Sequence, residues 1–394
     1  MMFWKIVLGL IPVVTWACLP THLNGFWAPK AAVWTTGWFL LASSGWWAPA
    51  MRSTPHLPWL GMLMAWMLMR FCWQLYPNQL MMPGTVERAV VMRWPMAALP
   101  TMLTAFASFL ALEALVRHSD YLLRWQRVAM WLGWTAGLVA LYGVAQLLHL
   151  DPLQLGSQAT MGRAGASNVP ITVFGNQGLT AQYLAIVAPL CLIFRPWVYR
   201  IFYGLMAVVI LASTSLTSVI ALWVSTLIVL AYRRCWWLCL SLVGIALVGV
   251  VYVHLTHQAA TIYTPSDRLV MWSQAWTVWK AAPLLAWTGF GLGAVESAHI
   301  NGFWGWAHLH CEPLQIIFEL GVIGGGLLMG FLITVGHRLW VMPKSLASMG
   351  WIASLVSFSL ISLVNFPLRI GATLMLGVLS LAAVLSYHEG AVDG

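Results

Sequence analysis

A chain of 394 residues that is 61% hydrophobic and 7% charged, with 26 tryptophans, is not a soluble domain; the composition belongs to a polytopic membrane protein with many aromatic interface anchors. The formal charge of +9 is spread thinly over loops. It reads as orientation and phospholipid contact and excludes a nucleic-acid footprint.

Met1 to Leu19 has the outline of a signal peptide. Leu19-Pro20 offers no small-x-small cleavage site, so an uncleaved first span is expected. Apolar runs of about 17–25 residues begin near Phe3, Ala31, Leu57, Pro95, Val128, Leu179, Ile201, Leu216, Trp236, Pro313, Ala347 and Ile370. The expected fold is therefore an all-α membrane bundle of about twelve spans, one integral domain over 1–394 without repeats or a soluble module. The six cysteines (Cys18, Cys72, Cys191, Cys235, Cys239, Cys311) form no Cys-x-x-Cys and mostly lie in these runs, so packing is expected of them and disulfides are not. The tight basic clusters Arg124/Arg127 and Arg233-Arg234 fall on the side of the N-terminus, which makes both termini cytoplasmic.

Two long loops then face outside, 151–178 and 257–312. The first is rich in Gly, Ser, Asn and Thr and carries Arg163. In the second, Ser266 can cap a helix with Arg268 at its start. Leu269, Trp272, Trp276 and Trp279 form a stripe at helical spacing, expected to lie flat in the headgroup layer until Pro283 ends the helix. Gly289-Phe290-Gly291-Leu292-Gly293 follows as a flexible turn. It is not a nucleotide fingerprint, because no strand precedes it.

From 307 to 326 the chain gathers two histidines and two carboxylates. Pro313 suits the first turn of a helix. On that helix Glu312, Gln315 and Glu319 share one face, and Gly321, Gly325, Gly326 and Gly330 allow a neighbouring helix to approach. The bland alternative is a solvated helix end with one glutamate paired in the bundle. Ionisable groups at the mouth of a membrane helix favour a site instead. A lipid-linked diphosphate brings its charge to this depth, and guanidinium groups hold phosphate through a planar fork. Arg163, Arg268 and Arg369 are the nearest outside candidates, and Arg70 can snorkel to the same layer from within a span. Because a diphosphate leaves readily, transfer from it needs a base for the attacking hydroxyl and positive charge at the leaving group. His308 and His310 both fit the base role on spacing. His308-x-His310-x-Glu312 also admits a metal set in an extended segment, against which Pro313 argues by turning the chain into a helix.

His310-Cys311-Glu312-Pro313-Leu314-Gln315, followed by Glu319-Leu320-Gly321-Val322-Ile323-Gly324, resembles the signature of the O-antigen ligase and O-antigen polymerase family, His-Asn-x-x-Leu-Gln and then Glu-x-Gly-x-x-Gly. Arg268-Leu269-Val270-Met271-Trp272 looks like that family's Arg-x-x-x-Trp segment. Leu141 to Gln146, Phe174-Gly175-Asn176 through Ala181, and Asn365 to Leu368 are weaker echoes, so the likeness runs from about residue 130 to 385. The resemblance implies a multi-span inverting transferase of the bacterial inner membrane. It would use an undecaprenyl-diphosphate-linked glycan on the periplasmic side, with lipid A core or a growing glycan as acceptor and neither metal nor cofactor. The family's histidine falls on His310 and its arginine on Arg268, with Arg163 or Arg369 expected as second clamp, Gln315 positioning the acceptor and Glu319 orienting a partner. Two departures stand out. Cys311 replaces the usual asparagine, and the region matching the ligases' Ser-Arg-Gly, Ser213 to Val219, has no arginine. The competing class is a transporter or flippase for the same lipid, which would place broken helices and charges near the midplane.

Overall fold

The computed structural model describes residues 2–17, 24–43, 57–74, 88–117, 122–151, 153, 170–213, 215–241, 244, 265–297, 309–365 and 367–386. All regular structure among them is helical: α1 (Met2–Trp16), α2 (Asn24–Ser43), α3 (Leu57–Gln74), α4 (Arg88–Arg117), α5 (Leu122–Leu147), α6 (Gln177–Cys191), α7 (Trp197–Ala212), α8 (Leu216–Tyr232), α9 (Pro265–Ala281), α10 (Pro283–Thr288), α11 (Ala294–Ser297), α12 (Glu312–Val341), α13 (Leu346–Ser362) and α14 (Gly371–Leu385). Arg163, His308, the 154–169 part of the first loop and the 298–308 part of the second lie outside the described residues, as does most of the expected span from Trp236.

Among the described residues, two helices are long and apolar enough to cross a membrane: Arg124–Leu147, with mean hydropathy 1.6, and Glu312–Val341, with 2.2. Shorter apolar helices of 10–17 residues, α7, α8, α13 and α14 among them, complete the described bundle.

The bundle is organised on α6. Every residue from Leu179 to Cys191 is buried, and the helix contacts α5, α7, α8, α13 and α14. Asn176 starts it by accepting from the backbone N–H groups of Gly178 and Leu179. Pro189 has no N–H, so the carbonyl of Ala185 loses its intrahelical donor. Ser357 of α13 supplies one instead, its hydroxyl donating to the Ala185 oxygen at 2.9 Å, while Ser354 donates to the Ile186 oxygen at 2.8 Å. The carbonyl freed by a buried proline is thus satisfied from the neighbouring helix, as a low-dielectric interior requires.

α12 is not one continuous helix. Gly321 sits at φ 71°, ψ −173°, which breaks the ladder between the polar first turns and the apolar remainder. Downstream of the break Gly330 receives Trp59 of α3: a Cβ there would meet the indole at 2.5 Å. The expected close approach therefore occurs at Gly330, whereas Gly326 faces open space.

Candidate active site

The break at Gly321 frees carbonyls that a helix would pair with its next turn. Each finds a donor. The N–H of Phe290 donates to the Phe318 oxygen at 2.9 Å, that of Gly291 to the Glu319 oxygen at 2.8 Å, and the Trp66 indole N–H to the Leu320 oxygen at 2.8 Å. The Gly289–Gly293 turn, expected to be a flexible connector, caps the break in α12. Its glycines are required by contact. A Cβ on Gly289 (φ 87°) would lie 2.2 Å from the Glu319 oxygen, and one on Gly321 would lie 2.2 Å from the Trp287 oxygen. Phe290 stacks on Phe318 with centroids 4.5 Å apart. Arg70 closes the arrangement: its Nη2 donates to the Gly289 oxygen at 2.5 Å, and the side chain is 4% exposed. The charge is held inside the bundle by a backbone dipole.

The polar face of α12 is buried as its spacing implies, with Glu312, Gln315 and Glu319 each 2% exposed or less. Gln315 links them to the incoming chain. Its Nε2 donates to Glu319 Oε1 at 2.8 Å, and its Oε1 accepts from the Leu309 N–H at 3.2 Å. The Leu309 oxygen in turn accepts from the Trp272 indole at 2.7 Å. Leu309 is pinned on both sides, and the next residue, His310, takes a left-handed conformation at φ 53°. A non-glycine residue there carries a conformational cost of about 1–2 kcal/mol, sustained only because its neighbours fix it.

Arg268, at the start of α9, donates through Nη1 to the Val364 oxygen at 2.8 Å. Burial, and after it the positive charge of Arg268, together push the His310 imidazole down to about 4. The two residues, 42 positions apart in sequence, act on each other electrostatically, and His310 is neutral at pH 7. α9 begins at Pro265, which puts Ser266 inside its first turn instead of at its cap, and its apolar stripe divides. Met271 and Ala275 are buried against Phe290, Leu309 and Phe318, while Leu269 and Trp276 are half exposed. Trp272 is turned inward by its bond to Leu309. Pro283 ends α9 and also opens α10.

Arg369, expected as a second clamp, meets two carboxylates. Its Nη2 donates to Glu319 Oε2 at 2.9 Å, and its Nε lies 3.7 Å from Glu312 Oε2. Burial alone would lower the guanidinium's pKa; Glu319 and Glu312 more than offset it and hold it above the ordinary value. Glu312 Oε1 also accepts from the Leu368 N–H at 3.0 Å. The 364–369 segment is therefore fastened at both ends, by Arg268 and by Glu312. Arg70, Trp66 and this segment's backbone complete the site. Only Arg70, a cation inside an apolar run, carried a signal in the sequence. The described cysteines are all free, and no cluster of three metal-ligating side chains occurs among the described residues.

No family model matches the chain, and no curated protein matches it.

Proposed function

We propose that this chain is a polytopic glycosyltransferase of the bacterial inner membrane, with about twelve spans, cytoplasmic termini and a periplasmic site. It would move a glycan from undecaprenyl diphosphate to an acceptor hydroxyl on lipid A core or a growing chain. The observation that carries this reading is the proximity of Arg268 to His310, a fixed cation beside an imidazole that is neutral at working pH.

In this reading the acceptor hydroxyl gives its proton to His310 as its oxygen attacks the anomeric carbon. The carbon–oxygen bond to the diphosphate breaks on the opposite face, so the configuration inverts. The diphosphate departs with the electron pair and is held by Arg268. Its negative charge offsets that of Arg268, raises the basicity of His310, and so makes the base stronger only when the donor is in place. Arg369, whose charge is shared by two carboxylates, positions the α12 end instead of clamping phosphate; Arg163 remains the candidate second clamp.

The helix break at Gly321 favours a second reading, since transporters build sites from broken helices. One experiment separates the two: purified protein is incubated with lipid-linked glycan and candidate acceptors, and the products are resolved by size. A ladder identifies a polymerase, and a single shift of lipid A core a ligase. Normal movement of lipid-linked sugar by a His310→Ala protein favours transport.

A further inference from the structure

A cavity of about 370 Å³ lies among α3, α4, α12 and α14, within the size range of small-ligand sites. Its walls are apolar, with Leu63, Met64, Met67, Leu328, Phe331 and Val378 among them. One end is charged: Glu312, Glu319 and Arg369. Arg268 and His310 do not line it.

The charged end is incompletely satisfied, and in a specific way. Glu319 uses both oxygens, one for Gln315 and one for Arg369. Glu312 uses only Oε1; its buried Oε2 accepts no hydrogen bond, since Arg369 Nε stands beyond hydrogen-bond reach at 3.7 Å. Two carboxyl groups face one guanidinium, and Glu312 holds the longer of the two contacts with it. The wall's hydroxyls are engaged elsewhere: Ser108 donates to the Thr104 oxygen and accepts from the Trp34 indole, and Thr104 Oγ1 meets Thr35 Oγ1 at 3.3 Å. A buried acceptor without a donor is costly in a low-dielectric setting, and an anionic group placed beside it is costlier.

We propose that this cavity binds the single acyl or prenyl chain of an amphiphile whose head is a hydrogen-bond donor without negative charge, a hydroxyl or an ammonium, held by Glu312 Oε2. The chain lies along Met64, Met67 and Phe331. The site rejects phosphate heads and is thus distinct from the anion site inferred at Arg268. The inference stands on the cavity and the unfilled carboxylate oxygen, and does not rest on the transferase reading.

The test uses the full-length protein in phosphatidylcholine nanodiscs with three photoaffinity probes, dodecanol, dodecylamine and dodecyl phosphate, each bearing a diazirine in its chain. Cross-links are mapped by mass spectrometry. The alcohol and the amine are expected to label the α3 and α12 peptides that carry Met64, Met67 and Leu328, with the phosphate at least about tenfold weaker there, a difference of about 1.4 kcal/mol in binding. Glu312→Gln keeps the acceptor for Leu368 but puts an N–H₂ group where Oε2 stands, so amine labelling of the cavity falls about tenfold and phosphate labelling rises. Met64→Trp, which fills the cavity and leaves Glu312, abolishes labelling by all three probes. Equal labelling by the three heads, labelling that ignores Glu312→Gln, or no labelling of the cavity by any probe overturns the proposal. The comparison of heads on the unmodified protein needs no variant to fold.

Discussion

Arg369 Nη2 and Glu319 Oε2 are 2.9 Å apart, joining two stretches of chain separated by 50 residues. Glu319 and Glu312 are almost completely buried, so their charges are tolerable only with a cation beside them. Arg369→Ala leaves both carboxylates buried without a cation, which costs about 3–5 kcal/mol. The expected result is a clearly lower midpoint in thermal unfolding of the detergent-solubilised protein. A triple change of Arg369→Met, Glu312→Leu and Glu319→Leu recovers most of the loss, because replacing a buried ion pair by apolar groups is often neutral. A triple variant as unstable as Arg369→Ala would show that the pairing is not what the site depends on.

The Gly289–Gly321 interlock makes a sharper contrast. Gly289→Ala and Gly321→Ala each drive a Cβ to 2.2 Å from a backbone oxygen at positive φ, so something must move. Each is expected to lower stability by more than about 2 kcal/mol and to displace the Glu319 carbonyl. Gly326→Ala, on the same helix with nothing within 4 Å, is expected to be neutral or slightly stabilising. Proteolysis resistance in detergent ranks the three. If Gly326→Ala proved as harmful as the other two, the helix break would not be the reason for the glycines.

Most of the helices were legible because each is an apolar run bounded by polar or proline-containing stretches. The shared face of Glu312, Gln315 and Glu319 followed from spacing alone, and the helix start at Pro313 from its chemistry. Three features were hidden for one reason: they depend on which distant backbone groups meet. Gly321 reads as a packing glycine until the Gly289 turn is known to cap the carbonyls it releases. Arg70 reads as an interface anchor until the Gly289 oxygen is placed beside it. Arg369 reads as an outside cation until Glu312 and Glu319 turn inward toward it.

His310 titrates low because it is buried and stands near Arg268. Since its pKa is depressed to about 4, the neutral form persists as pH falls from 7 to 5, whereas an ordinary imidazole becomes about 25-fold less available over that range. Diethyl pyrocarbonate attacks only the neutral ring. Its modification of His310, mapped by mass spectrometry and corrected for reagent decay, is expected to hold nearly constant to pH 5. In the Arg268→Ala protein the His310 pKa rises, so the decline moves to higher pH. A His310 that loses reactivity with a midpoint near 6.5 in both proteins would mean that neither burial nor Arg268 governs it.

The central claim is that Arg268 and His310 serve one reaction, and rates of glycan transfer from purified lipid-linked donor measure it most directly. Arg268→Ala and His310→Ala are each expected to reduce transfer by at least about a hundredfold, and the double variant to do no worse than the weaker single, as groups acting as a unit do. Transfer within twofold of the unmodified protein in either single variant, or losses that simply multiply in the double, would contradict the account.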